Sequence, residues 1–252
     1  MYTISGSGCR QALCSWIKTI LGCNLEFSPL DIAGCVLWLD ASAITGLANN
    51  DPVASWSDLS GNARHATQTT EAKKPIYMTN QQNGLPGVDF DRTNHGMLVD
   101  FSTGVSAQDY TFIFATKTET TNVNADQRLF DFQSGRFIVS SVTATVGWVG
   151  WITLPEGWTN AVAATNAVQI LSFVFDDAGA SVFRDGASIA TGKAWAQKAL
   201  GGTVGMGREY DMTQYGFDGQ LYEVVVYTGA LSSANRGLVE TYLSDKWGIA
   251  LA

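Results

Sequence analysis

The chain has 252 residues, of which 46% are hydrophobic and 15% are charged, a composition that suits a single large globular domain. Its formal net charge is −8 at pH 7, which argues against nucleic acid as a partner because phosphate binding needs a basic face. No segment has the roughly 18 consecutive apolar residues of a membrane span, so the sequence predicts no membrane partner either.

Residues 1–31 differ in pattern from the rest of the chain. Apolar side chains recur there at helical spacing, and Gly22 is suited to end such a helix. Because chain termini fray unless they are packed against something, we expect an N-terminal amphipathic arm that docks on another chain or on its own domain. The predicted partner-binding stripe consists of Leu13, Trp16, Ile17, Ile20 and Leu21.

All cysteines lie within the first 35 residues, at Cys9, Cys14, Cys23 and Cys35. Their spacing contains no Cys-x-x-Cys pair and no nearby histidine, which argues against zinc. Free thiols are the favoured interpretation, and one or two disulfides are the alternative. Cys23 ends a sequence similar to a lipoprotein cleavage box, but Ser15 and Lys18 interrupt the apolar core that a secretory signal needs.

From Ile32 onward the sequence predicts short strands separated by turns. Val182–Ile189 is a predicted hairpin with Asp185-Gly186 at its turn, and residues 233–246 are a predicted helix with Ser232 as N-cap and Gly248 as its stop. Strands at short, regular spacing are typical of a sandwich or jelly roll. The other predicted strand segments are 37–42, 53–62, 75–77, 87–91, 110–117, 128–132, 136–140, 147–154, 167–176, 202–208 and 219–227.

Two groups of segments carry a family resemblance. The first is the run from Leu37 to Asp91, with its "LWLDAS", "VASWSDLSGN" and "GVDFD" pieces, and the second is the run from Phe217 to Ile249. In order and spacing they resemble a laminin G-like domain of the concanavalin A-like lectin/glucanase superfamily, of the type found in bacteriophage virion proteins. The resemblance implies an all-β jelly-roll sandwich of two antiparallel sheets over residues 32–252, with a short C-terminal helix.

The same superfamily contains laminarinase-type glycoside hydrolases, which carry Glu-x-Asp-x-(x)-Glu on one strand. The nearest match is Glu209-Tyr210-Asp211, which lacks the second glutamate that would complete the set. Asp89 and Asp91 share a strand face but have no evident partner. The sequence therefore predicts no catalytic residues and no enzyme. A glycosidase would need a second carboxylate close to Glu209 and Asp211 in space.

Two kinds of binding site are candidates, one implied by the resemblance and one by the tryptophans, whose flat rings can stack on sugars. Calcium is the cofactor that the resemblance implies. Loop residues whose side chains offer oxygen atoms are the candidate calcium ligands, although such residues also suit turns. Trp158 and Trp195 fall in predicted loops and are candidate carbohydrate contacts, with burial under a loop as the alternative; Trp38, Trp56 and Trp247 are predicted core. The candidate calcium ligands are Asp58, Asn62, Asp91, Asn94 and Asp218.

The expected function is that of a non-enzymatic structural or adhesive virion component: a capsid decoration, head fibre or tail-associated protein. We expect it to be made in the host cytoplasm and to sit on the virion surface as a homo-oligomer. The arm would bind capsid or tail proteins, and the lectin-like face would meet a cell-surface glycan. The first alternative is a secreted or lipid-anchored bacterial carbohydrate-binding module, which needs the Cys23 cleavage box. The second is a laminarinase-like glycoside hydrolase.

Overall fold

The structure is a computed structural model that describes residues 26–103, 109–119, 127–132, 136–141, 149–152, 166–193 and 201–252. Within these ranges the chain forms two antiparallel β-sheets and one α-helix, α1 (Ser233–Trp247). The predicted all-β sandwich with a C-terminal helix is confirmed. No helix in the described ranges has the length and apolar character needed to cross a membrane.

The larger sheet contains nine strands among the described residues. Its central strand, β16 (Asp218–Thr228), pairs along one edge with β8 (Tyr110–Thr118). Along its other edge, β16 pairs with β6 (Leu85–Asp91) in its first half and with β1 (Cys35–Asp40) in its second half. The remaining strands, in sheet order, are β14 (Ala187–Lys193), β13 (Gly179–Arg184), β12 (Val168–Asp176), β8 (Tyr110–Thr118), then β6 (Leu85–Asp91), β5 (Ile76–Gln82) and β2 (Asp51–Pro52), with β1 at Cys35–Asp40.

The smaller sheet contains seven strands in the part of the chain that is described. Its middle is formed by β9 (Gln127–Phe132), β15 (Thr203–Met206) and β7 (Met97–Asp100). Val204 of β15 pairs with both Phe132 and Val99. In sheet order the strands are β11 (Val149–Ile152), β10 (Arg136–Ser141), β9 (Gln127–Phe132), β15 (Thr203–Met206), β7 (Met97–Asp100), β4 (Ala66–Thr67) and β3 (Ser55–Trp56).

Phenylalanine side chains from the facing sheets fill the core. Phe112 and Phe114 of β8 contact Phe130 of β9 with ring centroids 6.2 and 5.4 Å apart, and both pairs meet edge to face, the arrangement that aromatic pairs favour. Trp56 and Trp247 are buried as predicted. Trp38 is half-buried. These bulky inward residues hold the two sheets together.

Helix α1 covers the outer face of the larger sheet. Ser232 caps its N-terminus by accepting a hydrogen bond from Asn235 N at 3.2 Å, and Gly248 ends it with a left-handed φ of 63°. The turn between β5 and β6 covers the other end of the helix. There, Gln82 Nε2 donates to the carbonyl oxygen of Trp247 at 2.7 Å, and Asn83 Nδ2 donates to that of Lys246 at 2.9 Å. The helix is thereby fixed at both ends.

One buried carboxylate joins this helix to the sheet. Glu223 of β16 is 0% exposed, and burial together with the neighbouring Asp40 carboxylate raises its pKa. Lys246 lies between the two acids, 2.8 Å from Glu223 Oε2 and 2.6 Å from Asp40 Oδ2. The oxygens of Glu223 accept hydrogen bonds, at 2.6–2.9 Å, from Trp38 Nε1, Tyr242 Oη, Lys246 Nζ and Trp247 Nε1. A buried acid is stable only with such a full set of donors.

Candidate functional site

Strained backbone marks two neighbouring loops at one end of the sandwich. Arg92 (φ 62°), Met212 (φ 61°) and Tyr215 (φ 53°) all adopt left-handed conformations, although none is Gly, Asn or Asp. Such conformations each cost roughly 1–3 kcal/mol, persist only where the surroundings enforce them, and cluster at functional sites. The residues lie in the β6–β7 loop (residues 92–96) and the β15–β16 loop (residues 207–217).

Hydrogen bonds between the two loops enforce this backbone. Arg92 N donates to the carbonyl oxygen of Phe217 at 2.8 Å. The buried guanidinium of Arg208 donates to the carbonyl oxygens of Arg92 and Thr213 at 3.1 and 3.2 Å. At Gly216 a Cβ atom would lie 1.9 Å from the carbonyl oxygen of Arg92, so the close approach requires glycine. The loops therefore form one rigid unit.

A charge cluster anchors the β15–β16 loop to the smaller sheet. In the β9–β10 pairing, Phe130 faces Ile138 and Arg128 faces Val139, so that Leu129 is an extra residue in β9. In a regular strand, residues 128 and 131 would lie on opposite faces. The extra residue reverses the alternation of side chains, so that Arg128 lies on the same face as Asp131 and can reach it.

Arg128 in turn bridges two carboxylates. Its Nη1 lies 3.1 Å from Asp131 Oδ2 and 3.0 Å from Glu209 Oε1. Tyr210 N also donates to Asp131 Oδ2, at 2.9 Å. The loop is thus bound to β9 through both Glu209 and Tyr210.

Asp131 is the second carboxylate near Glu209 that a glycosidase would need. Burial raises the pKa of Asp131 to about 6, although hydrogen bonds from Tyr210 N and Arg128 act in the opposite direction. A general acid must reach the bond that it protonates, yet Asp131 is 1% exposed and the guanidinium of Arg128 contacts both acids. This geometry supports a loop anchor better than acid catalysis by Asp131.

An exposed aromatic ring lies above the same guanidinium. Tyr215 is 37% exposed, and Arg128 Cζ lies 4.1 Å from the centroid of its ring. Thr213 Oγ1 lies 2.7 Å from Asp211 Oδ1 and 3.2 Å from Glu209 Oε2, and donates its one hydroxyl hydrogen between these two acceptors. We call Tyr215, Arg128, Glu209, Asp211 and Thr213 the Tyr215 patch. A sugar ring could stack on the tyrosine while its hydroxyl groups donate to the carboxylates.

The candidate calcium ligands Asp58 and Asn62 belong to a turn beside β1. The two oxygens of Asp58 accept hydrogen bonds from Trp38 N, Ser60 N, Ser60 Oγ and Arg64 N, at 2.8–3.0 Å. Asn62 Nδ2 donates to the carbonyl oxygen of Cys35 at 3.2 Å. This carboxylate organises the turn, and its lone pairs are already used.

Asp91, Asn94 and Asp218 lie together at the β6–β7 loop, where Asp91 pairs with Asp218 across the sheet. Although its partial burial acts to raise the pKa of Asp91, hydrogen bonds from His95 N, Asn94 N and the Thr93 hydroxyl lower it to about 2. Asp218 lies seven residues before Val225, the partner of Trp38, so the Asp58 turn is roughly 23 Å away along β16.

The five candidates therefore do not converge on one calcium ion, which takes six to eight oxygen ligands. In the ranges that the structure describes, no group of three or more His, Cys, Asp or Glu side chains could hold a metal. The carbohydrate candidates Trp158 and Trp195 lie outside the described residues, as does the stripe Leu13, Trp16, Ile17, Ile20 and Leu21.

Sequence reasoning missed the roles of Arg128, Asp131 and Tyr215. The ion pair between Arg128 and Asp131 depends on the extra residue in β9. No sequence pattern predicts the position of that extra residue. Tyr215 had a weak signal, since an aromatic residue beside Gly216 in a polar segment is typical of a displayed loop residue.

No protein-family model and no curated protein sequence matches this chain. Among solved structures, it is similar to domain 4 of AbnA, an extracellular GH43 arabinanase from Geobacillus stearothermophilus, in complex with arabinotriose. The TM-score is 0.61 at 15% identity, over 81% of this chain and 98% of that domain.

Two further structures show the same likeness. Trypanosoma rangeli sialidase in complex with sialic acid matches with a TM-score of 0.59 at 13% identity, over 97% of this chain and 40% of the sialidase. The binding domain of Paraclostridial Mosquitocidal Protein 1 matches with a TM-score of 0.58 at 11% identity, over 86% of this chain and 53% of that one. This chain has their β-sandwich fold. It spans about half or less of these two longer proteins.

Proposed function

We propose that this chain is a non-enzymatic glycan-binding module in which the Tyr215 patch contacts the sugar. The observation that carries the proposal is the exposed Tyr215 ring, held over Arg128 by a rigid and strained loop. A ring that is already fixed loses little conformational entropy when a ligand stacks on it. The carboxylates of Glu209 and Asp211 beside it offer acceptors for sugar hydroxyl groups.

The similar structures support glycans as the class of ligand. The arabinanase domain is in complex with arabinotriose and the sialidase with sialic acid. Because one fold hosts many functions, the proposed contact surface rests on the residues of the Tyr215 patch and not on the fold.

Replacing Tyr215 with Ala is expected to weaken binding of an oligosaccharide by about fivefold to thirtyfold, since losing a stacked aromatic ring costs about 1–2 kcal/mol. Tyr215→Phe keeps the ring and should bind within about twofold of the original protein. Leu30→Ala removes another exposed apolar side chain and serves as the control. Titration calorimetry measures all three variants, and unchanged affinity in Tyr215→Ala would place the contact elsewhere.

We expect no cleavage of glycans by this chain. Glu209 is engaged with Arg128 and Thr213, and the nearby carboxylate of Asp131 is buried. Reducing-sugar assays on β-glucans should give the same background for the original protein and for Glu209→Gln. Release of sugar that Glu209→Gln abolishes would establish an enzyme instead.

The biological setting that we propose is the surface of a phage particle, and it rests on the sequence resemblance.

Phe27 packs on Tyr242 at 6.0 Å between ring centroids, and Tyr227 Oη donates to the carbonyl oxygen of Pro29 at 2.9 Å. A truncation that tests the arm should therefore remove residues 1–25 and keep these contacts.

The truncated chain is expected to remain folded, with its thermal midpoint little changed, and to be missing from assembled particles. Trp16→Asp with Ile20→Asp should have the same effect, because charge is poorly tolerated in an apolar contact. Thermal unfolding and the copy number in purified particles are the measurements. Full incorporation of the truncated chain would assign the anchor to the β domain.

A further inference from the structure

Three of the described cations near the Tyr215 patch are bound to groups of the protein itself. Arg128 is held by Asp131 and Glu209. Arg208 donates to the carbonyl oxygens of Arg92 and Thr213, and Lys73 Nζ donates to that of Met212 at 3.1 Å. Arg92 lies beside Asp218 and offsets the charge of that acid. Arg128, Arg208 and Lys73 are therefore already paired within the protein.

The hydrogen-bond acceptors beside the Tyr215 ring carry negative charge. Asp211 is exposed, and the hydroxyl and N–H groups of Thr213 lower its pKa, so that it stays ionised at neutral pH. Glu209 Oε2 is the second acceptor, since only Oε1 meets Arg128. Ionised carboxylates accept hydrogen bonds and cannot donate them, so the groups around Tyr215 attract donors and cations.

We propose that the Tyr215 patch selects sugars by charge: it favours a sugar bearing a protonated amine, accepts a neutral one and disfavours a carboxylated one. This inference rests on the proposed function. An ammonium group beside a stacked sugar ring can pair with Asp211 or Glu209 through a charge-assisted hydrogen bond. A sugar carboxylate would meet the like charges of Asp211 and Glu209, and juxtaposed like charges suppress binding.

Three oligosaccharides of equal length test the selection: a glucosamine oligomer, its N-acetylated counterpart and a uronic acid oligomer. At low salt, and at a pH where the amine is protonated, calorimetry should show affinity falling in that order. We expect about tenfold between the first and the last. The difference should shrink at 0.5 M salt, where the Debye length falls to about 4 Å.

Asp211→Asn should weaken binding of the glucosamine oligomer severalfold more than binding of the N-acetylated oligomer, because only the protonated amine loses a charge-assisted hydrogen bond. Asp245→Asn changes the net charge equally on the exposed face of α1 and should alter neither value. Equal or tighter binding of the uronic acid oligomer would overturn the charge selection but leave glycan binding intact. Failure of all three sugars to bind would overturn the proposed function, and this inference with it.

Discussion

Replacing Glu223 with Ala is expected to lower the free energy of unfolding by about 3–5 kcal/mol, the usual effect of removing one partner from a buried ion pair. Lys246 would retain Asp40, but Trp38 Nε1, Tyr242 Oη and Trp247 Nε1 would lose their acceptor. Each buried donor left without a partner costs about 1–3 kcal/mol, partly relieved by rearrangement. The larger sheet and α1 should therefore loosen together.

Denaturant unfolding followed by tryptophan fluorescence measures this loss. Glu71→Ala removes the carboxylate of an exposed ion pair with Lys74 and should change stability by less than about 1 kcal/mol. Glu223→Gln should fall between these two variants, because its amide nitrogen would face two of the former donors. If Glu223→Ala were as stable as the original protein, the carboxylate would have no role in holding the helix.

Replacing Asp131 with Asn is expected to have the second large effect on the free energy of unfolding, and this effect depends on pH. The pKa of Asp131 is about 6 in the folded protein and about 3.9 in an unfolded chain, so the fold favours the protonated acid. The raised pKa of Asp131 contributes about 3 kcal/mol to the free energy of unfolding at low pH. This contribution is present below about pH 4 and is lost as the pH rises through about 6. Asp131→Asn resembles the protonated form at every pH. The stability of this variant relative to the original protein should therefore rise by about 2 kcal/mol between pH 4 and pH 7, out of about 3 kcal/mol over the whole titration.

Unfolding free energies at four pH values give this difference directly. Asp245→Asn, on the exposed face of α1, should show a difference that stays within about 0.5 kcal/mol over the same range. A pH-independent difference for Asp131→Asn would mean that the pairing of Asp131 with Arg128 fully offsets its burial.

The fold could be predicted from the sequence because its signals are local. Ser232 and Gly248 bound α1 as their capping chemistry requires, and Asp185-Gly186 forms the predicted turn, with φ values of 50° and 84°. Strand alternation and turn residues act over a few positions, so they can be recognised in one sequence.

The candidate site depends on contacts that local patterns do not contain. Glu209 and Asp211 drew attention through their spacing, but their actual neighbour is Arg128, 81 residues away from Glu209. Asp58 and Asp91 were candidate ligands because acidic loop residues suit calcium, and each proves to organise its own turn. One pattern serves both uses, because the same carboxylate oxygens accept N–H groups or bind a cation.

The position of β16 has a consequence for biosynthesis. This strand is the last in the chain, yet it joins β1, β6 and β8 into one sheet. While the ribosome is still translating residues 218–228, the β5–β6 hairpin and the β8–β12–β13 unit have no strand between them. Their unpaired edges are then open to other chains. The nascent chain therefore completes its larger sheet only after residues 218–228 have been translated, and termination before them leaves a product suited to chaperones and proteases.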